Sequence, residues 1–297
     1  MTTDLSIRSL THSFGDRRAL DGVSFDVRPG RLTGFVGANG AGKTTTMRAI
    51  VGVLAPDAGD ITLGGEPMTL ERRRRIGYMP EERGLYPNMR IDHQLVYLAR
   101  ILGVPKDEAR LRAADLLEGL DLADRAAEPL HTLSLGNQQR VQVAAALIHE
   151  PDLLILDEPF SGLDPLAMDA LAARLRERAE AGVPVLFSSH QLDMVERLCD
   201  DLVVIHEGQV VAAGSAADLR EQRAGRRYRI AVSGHPDWDP GAPGMTPVGA
   251  ESGAVLVDLD EAVDPQALLA AAQADGAVTH FSRAVPSLAE LFSEVTR

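Results

Sequence analysis

The chain has 297 residues, a formal net charge of −13 and 45% hydrophobic residues. That length accommodates one large domain and a smaller one. The charge disfavours nonspecific nucleic-acid binding, since a phosphate backbone would be repelled overall. The single cysteine, Cys199, excludes an internal disulfide and suits a reducing cytoplasm.

The start, MTTDLSIRSL, lacks the apolar core of a signal peptide. The first strand signal is LTGFVG (32–37), a short apolar run ending in glycine, and a helix pattern follows through KTTTMRAIVGVL and stops before Pro56. The stretch from about residue 92 to residue 150 carries helical periodicity in HQLVYLARILG, in residues 106–120 and in GNQQRVQVAAALIH, with no strand between them. It reads as a helical subdomain, at about residues 85–150, inserted into a sheet domain. Three buried strands are expected at LLILD (153–157), VPVLFSS (183–189) and DLVVIHEG (201–208), with a crossover helix in DPLAMDALAARLRERAEAG. Buried strands separated by helices imply an α/β fold with a mostly parallel sheet covered on both faces. The longest apolar candidate for a membrane span, VQVAAALIHEPDLLILDEP, is broken by His149, Glu150, Pro151 and Asp152, so a membrane role must come through a partner.

Composition shifts after Arg229. SGHPDWDPGAPGMTPVG is rich in Pro and Gly and reads as a loop. Around it lie strand candidates RYRIAVS, GAVLVDLD and AVTHFS and helix candidates PQALLAAAQAD and SLAELFSEVT; the last shows Leu288, Leu291 and Phe292 on one face. The division expected is a domain over residues 1–222 and a small α+β domain over residues 223–297, marginal as an independent unit.

GANGAGKTT fits G-x-x-x-x-G-K-[ST] between a strand and a helix. Gly37, Ala38, Asn39, Gly40, Ala41, Gly42, Lys43, Thr44 and Thr45 then form a phosphate loop. The glycines let backbone N–H groups point inward and the helix adds its positive end. Lys43 reaches the β- and γ-phosphates, and the Thr44 hydroxyl is a ligand for Mg²⁺. LLILDEP ends an apolar strand in two acids: Asp157 for the metal, and Glu158 as a general base on the attacking water. His190 follows VLFSS at the same sheet edge, where an imidazole can bond the γ-phosphate or the attacking water, although alone it reads equally as an exposed or capping histidine. Phe14, in THSFGDRRAL, is a candidate for stacking on adenine, though an isolated Phe is more often core. Taken alone, LSLGN reads as a Ser-capped helix start. The run Arg72 to Arg75 reads as a solvated strand entry rather than a nucleic-acid patch.

These motifs, together with LSLGNQQR and SGLD (161–164) and in this order, resemble the ATP-binding subunits of ABC transporters over about residues 4–220. GYMPEERGLYP, the LS-x-G-N signature and the C-terminal extension resemble the export-type subgroup of sodium-efflux and drug-resistance ATPases. The resemblance implies a P-loop cassette that pairs head to tail with a second copy of itself or a homologous cassette. Ser134, Gly136 and Asn137 would then contact the γ-phosphate of ATP on the partner's loop, with Asp164 at the same interface. It further implies an integral membrane permease as partner, contacted near RGLYPNMRI (83–91), and a cytoplasmic chain held peripherally at the inner face of the membrane, with no nucleic-acid partner. Glu81 stands where most members have Gln; the resemblance gives it contact with Mg²⁺ and a role in sensing the permease. Leu135 replaces the usual first glycine of the signature. A non-transport ABC ATPase acting on nucleic acid or ribosomes is the alternative. Repair types carry long coiled coils and ribosomal types two cassettes in one chain, and neither is present in this sequence. A P-loop kinase would need no signature motif.

Overall fold

The computed structural model describes residues 4–82, 84–223, 225–251 and 253–285. The chain divides into two compact units, residues 1–216 and 217–297.

In the first unit, β1 (Leu5–Phe14) and β2 (Arg17–Val27) pair antiparallel. β3 (Leu32–Val36) leads through the glycine loop into α1 (Lys43–Val51). β4 (Ala58–Leu63) and β5 (Glu66–Pro67) complete a four-stranded sheet in the order β2-β1-β4-β5. A short α2 (Leu70–Arg73) precedes β6 (Ile76–Met79). The arginine run therefore starts in a helix rather than a strand, and Arg75 pairs with Asp152 at the strand entry. Then come α3 (Ile91–Ile101), α4 (Lys106–Gly119) and α5 (Leu135–Leu147), with no strand among them. After these follow β7 (Leu153–Leu156), α6 (Pro165–Glu180), β8 (Val185–Ser189), α7 (Leu192–Leu198), β9 (Asp201–His206) and β10 (Gln209–Ser215).

The second sheet has the order β10-β9-β3-β8-β7-β6 and is parallel except for β10, which runs antiparallel to β9. Every residue of β3, β7 and β8 is buried. Burial on both faces is why these strands read as unbroken apolar runs. β8 lies between β3 and β7, so it separates the glycine loop from the acids of LLILDEP by one strand. The two sheets and α1 share one core, where Phe25 meets Phe35 with ring centroids 5.2 Å apart and Met47, Ile50, Ile155 and Leu186 fill in.

The second unit opens with α8 (Ala216–Arg223) and holds β11 (Arg227–Val232), β12 (Met245–Glu251), β13 (Ala254–Leu259), α9 (Pro265–Asp275) and β14 (Val278–Arg283). Its antiparallel sheet has the order β12-β13-β11-β14. Ile230, Val257, Trp238 and Leu268 form its core, and the Trp238 indole donates to Asp275 at 2.8 Å. β12 occupies part of the stretch read as loop. It is an edge strand, exposed along almost its whole length, so it carries no apolar alternation; its Pro247 is tolerated there because an edge need not donate on both sides. The expected final helix at 287–296 lies outside the described residues.

Candidate functional site

The carboxyl edge of the parallel sheet carries the glycine loop and the acids of LLILDEP. β3 stops at Val36 and the chain turns sharply into α1. Gly37 is there because a Cβ would lie 2.4 Å from the Ile205 carbonyl oxygen, closer than any side chain tolerates. Gly42, the N-cap of α1, has φ 113°, a conformation suited to glycine. No side chain caps α1 and no acid lies in its first turn, so its positive end is left for an outside anion. Lys43 is 7% exposed and its ammonium donates to the carbonyls of Gly37 at 2.6 Å and Ala38 at 3.3 Å. Burial pushes its pKa down, while the charges of Glu158, Asp157 and Glu81 pull it back up.

The acids follow β7. Asp157 is buried, and its Oδ1 accepts from the Ser188 hydroxyl at 2.5 Å. Its Oδ2 is buried with no hydrogen-bond partner. The Ser188 oxygen in turn accepts the backbone N–H of Glu158 at 2.8 Å. Glu158 sits at φ 51°, a left-handed conformation costing a non-glycine residue about 1–3 kcal/mol. His190 Nδ1 lies 3.0 Å from Glu158 Oε2. Its imidazole thus meets the glutamate.

A cleft of about 510 Å³ is lined by Phe14, Asn39, Gly40, Gly42, Lys43, Thr44, Thr45, Glu81, Asp157 and Glu158, with Arg17 and Ala19. Ala38 and Ala41 line an adjoining depression that shares Arg17, Ala19, Asn39 and Gly40 with the cleft. Phe14 ends β1, is 55% exposed, and is met edge-on by His12 at 4.6 Å between centroids. Arg17 and Ser188 join these residues without belonging to any of the sequence motifs. Ser188 had a signal, a hydroxyl at the end of an otherwise apolar strand beside the acids; Arg17 had none beyond its proximity to Phe14.

Ser134, Gly136, Asn137 and Asp164 lie outside this cleft. Ser134 is the N-cap of α5 and accepts the Asn137 N–H at 3.3 Å; Asp164 caps α6, accepting from the Ala167 N–H at 2.9 Å. The Asn137 side-chain oxygen Oδ1 accepts from the Arg140 guanidinium. A separate groove of about 850 Å³ runs between α3 and α4, lined among others by Met89, Val96, Tyr97, Ile101 and Leu117.

A glycine-rich strand-to-helix turn with a buried lysine, and an acid pair at the end of the next strand but one in the same sheet, define a P-loop nucleotide-binding protein. Residues 20–161 match the ABC transporter family, and residues 214–296 match the C-terminal domain of DrrA1-3-like ATP-binding proteins. An ABC transporter ATP-binding protein of Bacillus subtilis is 37% identical over 294 residues, spanning 98% of this chain and 97% of its own. A linearmycin resistance ATP-binding protein of Bacillus subtilis is 35% identical over 77% of this chain and 75% of its own. A solved ATP-binding subunit of an ABC transporter superposes with a TM-score of 0.68 at 35% identity, covering 74% of this chain and 93% of that one. The chain belongs to the ATP-binding proteins of ABC transporters, a family of ATPases that couples ATP hydrolysis to transport. Among the described residues no helix is long and apolar enough to cross a membrane.

Proposed function

We propose that the chain binds Mg²⁺ and ATP in the cleft between Phe14 and Glu158 and hydrolyses ATP to power a separate membrane exporter. The observation that carries this reading is the buried, unpartnered Asp157 Oδ2 in a cleft shared with Lys43 and Glu158. A buried carboxylate oxygen without a donor is costly unless a cation meets it. The lining also holds Glu81 and Glu158, so a bare triphosphate would meet three carboxylates against Lys43 and Arg17. A divalent cation reconciles the two. Hydroxyl and carboxylate oxygens suit Mg²⁺, which typically takes one or two carboxylates and completes its shell with substrate phosphates and water. Thr44, Asp157 and Glu81 are the residues that would hold it. Bound there, Mg²⁺ neutralises charge developing on the phosphates.

The protein's own residues do the rest. The loop N–H groups and Lys43 hold the phosphates, and Phe14 stacks on adenine. Glu158 takes the proton from the attacking water, and His190 fixes the rotamer of its carboxylate. Ser134, Gly136 and Asn137 act on the ATP of a second cassette, either a copy of this chain or a homologue, with Asp164 beside them. Capping and this role are compatible: Ser134 accepts from Asn137, which leaves the hydroxyl hydrogen for an anion. The stretch at residues 83–91, of which Met89 lines the groove between α3 and α4, is offered as the contact with the permease.

Export is supported by what the relatives do. One confers linearmycin resistance, and another, 39% identical over 73% of this chain and 69% of its own, is a Nod factor export ATP-binding protein of Ralstonia nicotianae. The chain itself would sit at the inner face of the membrane through that permease. The test is affinity capture of the tagged chain from solubilised membranes. A multi-span membrane protein that raises its ATPase rate is expected; ribosomes or nucleic acid recovered instead would sink the transport reading.

The second unit is proposed to be accessory, since the cleft is lined wholly by residues before Ala216. A chain ending at Glu221 is expected to bind Mg-ATP with a Kd within about twofold of the full chain's, as titration calorimetry would read. A folded, soluble truncation that no longer binds nucleotide would make the unit part of the site.

A further inference from the structure

Helix α5 touches more than its own cap. The Gln139 amide donates to the backbone carbonyl of Glu158 at 2.8 Å. One turn further, on the same face, the buried Gln142 amide donates to the carbonyls of Pro80 at 3.1 Å and Glu82 at 3.3 Å, the two residues flanking Glu81. One helix thus holds the backbone of both acids at the cleft whose place is least fixed by the sheet. Glu158 lies just past the end of β7 in a left-handed conformation, its N–H already taken by Ser188. Glu81 lies in the loop after β6. The first turn of α5 also rests on the loop that follows Glu158: a Cβ at Gly136 would lie 3.1 Å from the Gly162 carbonyl oxygen and 3.4 Å from Leu163.

We propose that Gln139 and Gln142 are positioning residues that couple the signature end of α5 to the general base and to Glu81 in the same chain. The inference rests on the reading of Glu158 as base and of Ser134 and Gly136 as the grip on a partner's ATP. The physical warrant is rigidity. Gln139 follows Ser134 by five residues, roughly 7.5 Å along one continuous helix. A phosphate seated at the N-terminus of α5 draws on the whole helix, and the two amides carry that displacement to Glu158 and Glu81. Each cassette would then sense its partner's nucleotide at its own catalytic centre. A lone hydrogen bond within a loop would carry nothing; two amides three residues apart, each on a different catalytic segment, form a contiguous link between two sites.

The test uses the full chain with Gln139→Met, Gln142→Met and Gln139→Lys. Methionine keeps the length and removes the donor; lysine restores an N–H at similar reach. For Gln139→Met, kcat is expected to fall about tenfold. Kd for Mg-ATP should stay within about twofold and the Hill coefficient for ATP should drop towards 1. Gln139→Lys should recover part of both kcat and cooperativity. Gln142→Met should raise the Mg²⁺ concentration for half-maximal turnover, since it loosens the loop of Glu81. Unchanged kcat and cooperativity in Gln139→Met would overturn the proposal. So would a parallel loss of ATP binding, turnover and Tm that lysine fails to rescue, since that is the mark of a merely structural bond. Glu158→Gln, run alongside, separates the two readings. If it still turns over, the base assignment is what fails. If it is inactive while Gln139→Met hydrolyses ATP normally and cooperatively, the coupling fails alone.

Discussion

Glu158→Gln is expected to lower kcat about a thousandfold while leaving Mg-ATP bound. The substitution keeps the shape and both backbone bonds, from the Glu158 N–H to Ser188 and from Gln139 to the Glu158 carbonyl. What disappears is the group proposed to accept a proton from water. His190 loses its carboxylate neighbour at 3.0 Å, but the phosphate loop is untouched. On the proposed reading ATP held without hydrolysis would keep two cassettes together, so the variant should elute as a dimer with Mg-ATP and as a monomer without it. Steady-state phosphate release and size-exclusion chromatography read the two effects. Turnover near that of the unmodified chain would remove Glu158 from the role of base.

Lys43→Ala acts one step earlier. Its ammonium is buried against the carbonyls of Gly37 and Ala38 and is the cation closest to the loop's own backbone. Removing it leaves Asp157, Glu158 and Glu81 facing the triphosphate with one fewer counter-charge. Losing one partner of a buried charged contact typically costs enough to weaken binding at least about a hundredfold. Titration calorimetry with Mg-ATP should show it, with the melting temperature as a check that the fold survives. Unchanged nucleotide affinity would mean that the phosphates bind elsewhere.

The parts of this molecule legible in the sequence are those whose signal is local. β3, β7, β8 and β9 are buried on both faces, so each is an apolar run that needs no partner to be recognised. The glycine loop is legible because tight turn, lysine and helix start are adjacent in the chain. The β2-β1-β4-β5 sheet has no such local signal: β1 shifts register against β2 between Ile7 and Leu10 and again near His12, which breaks the alternation that marks a half-buried strand. β12 is an edge with almost nothing to bury. The contacts of Gln139, Gln142 and Ser188 were invisible for another reason. They join residues 19, 60 to 62 and 30 to 31 positions apart, and only the folded packing of α5 and β8 brings them together. LSLGN read alone gives a capped helix, and the cap is there; the second use proposed for it would depend on another chain.

β8 also sets a measure. It is the single strand between β3, which launches the phosphate loop, and β7, which launches Asp157 and Glu158. Two strand-to-strand steps amount to roughly 9.5 Å, and backbone hydrogen bonds hold that interval far more stiffly than side chains could. The sheet is therefore a ruler laid beside the nucleotide. On the proposed reading one end holds the first phosphates and the other meets the last. On the proposed reading a nucleoside diphosphate, held at the near end, would leave the far one without its phosphate, and the spacing of the strands would weigh the two nucleotides by length.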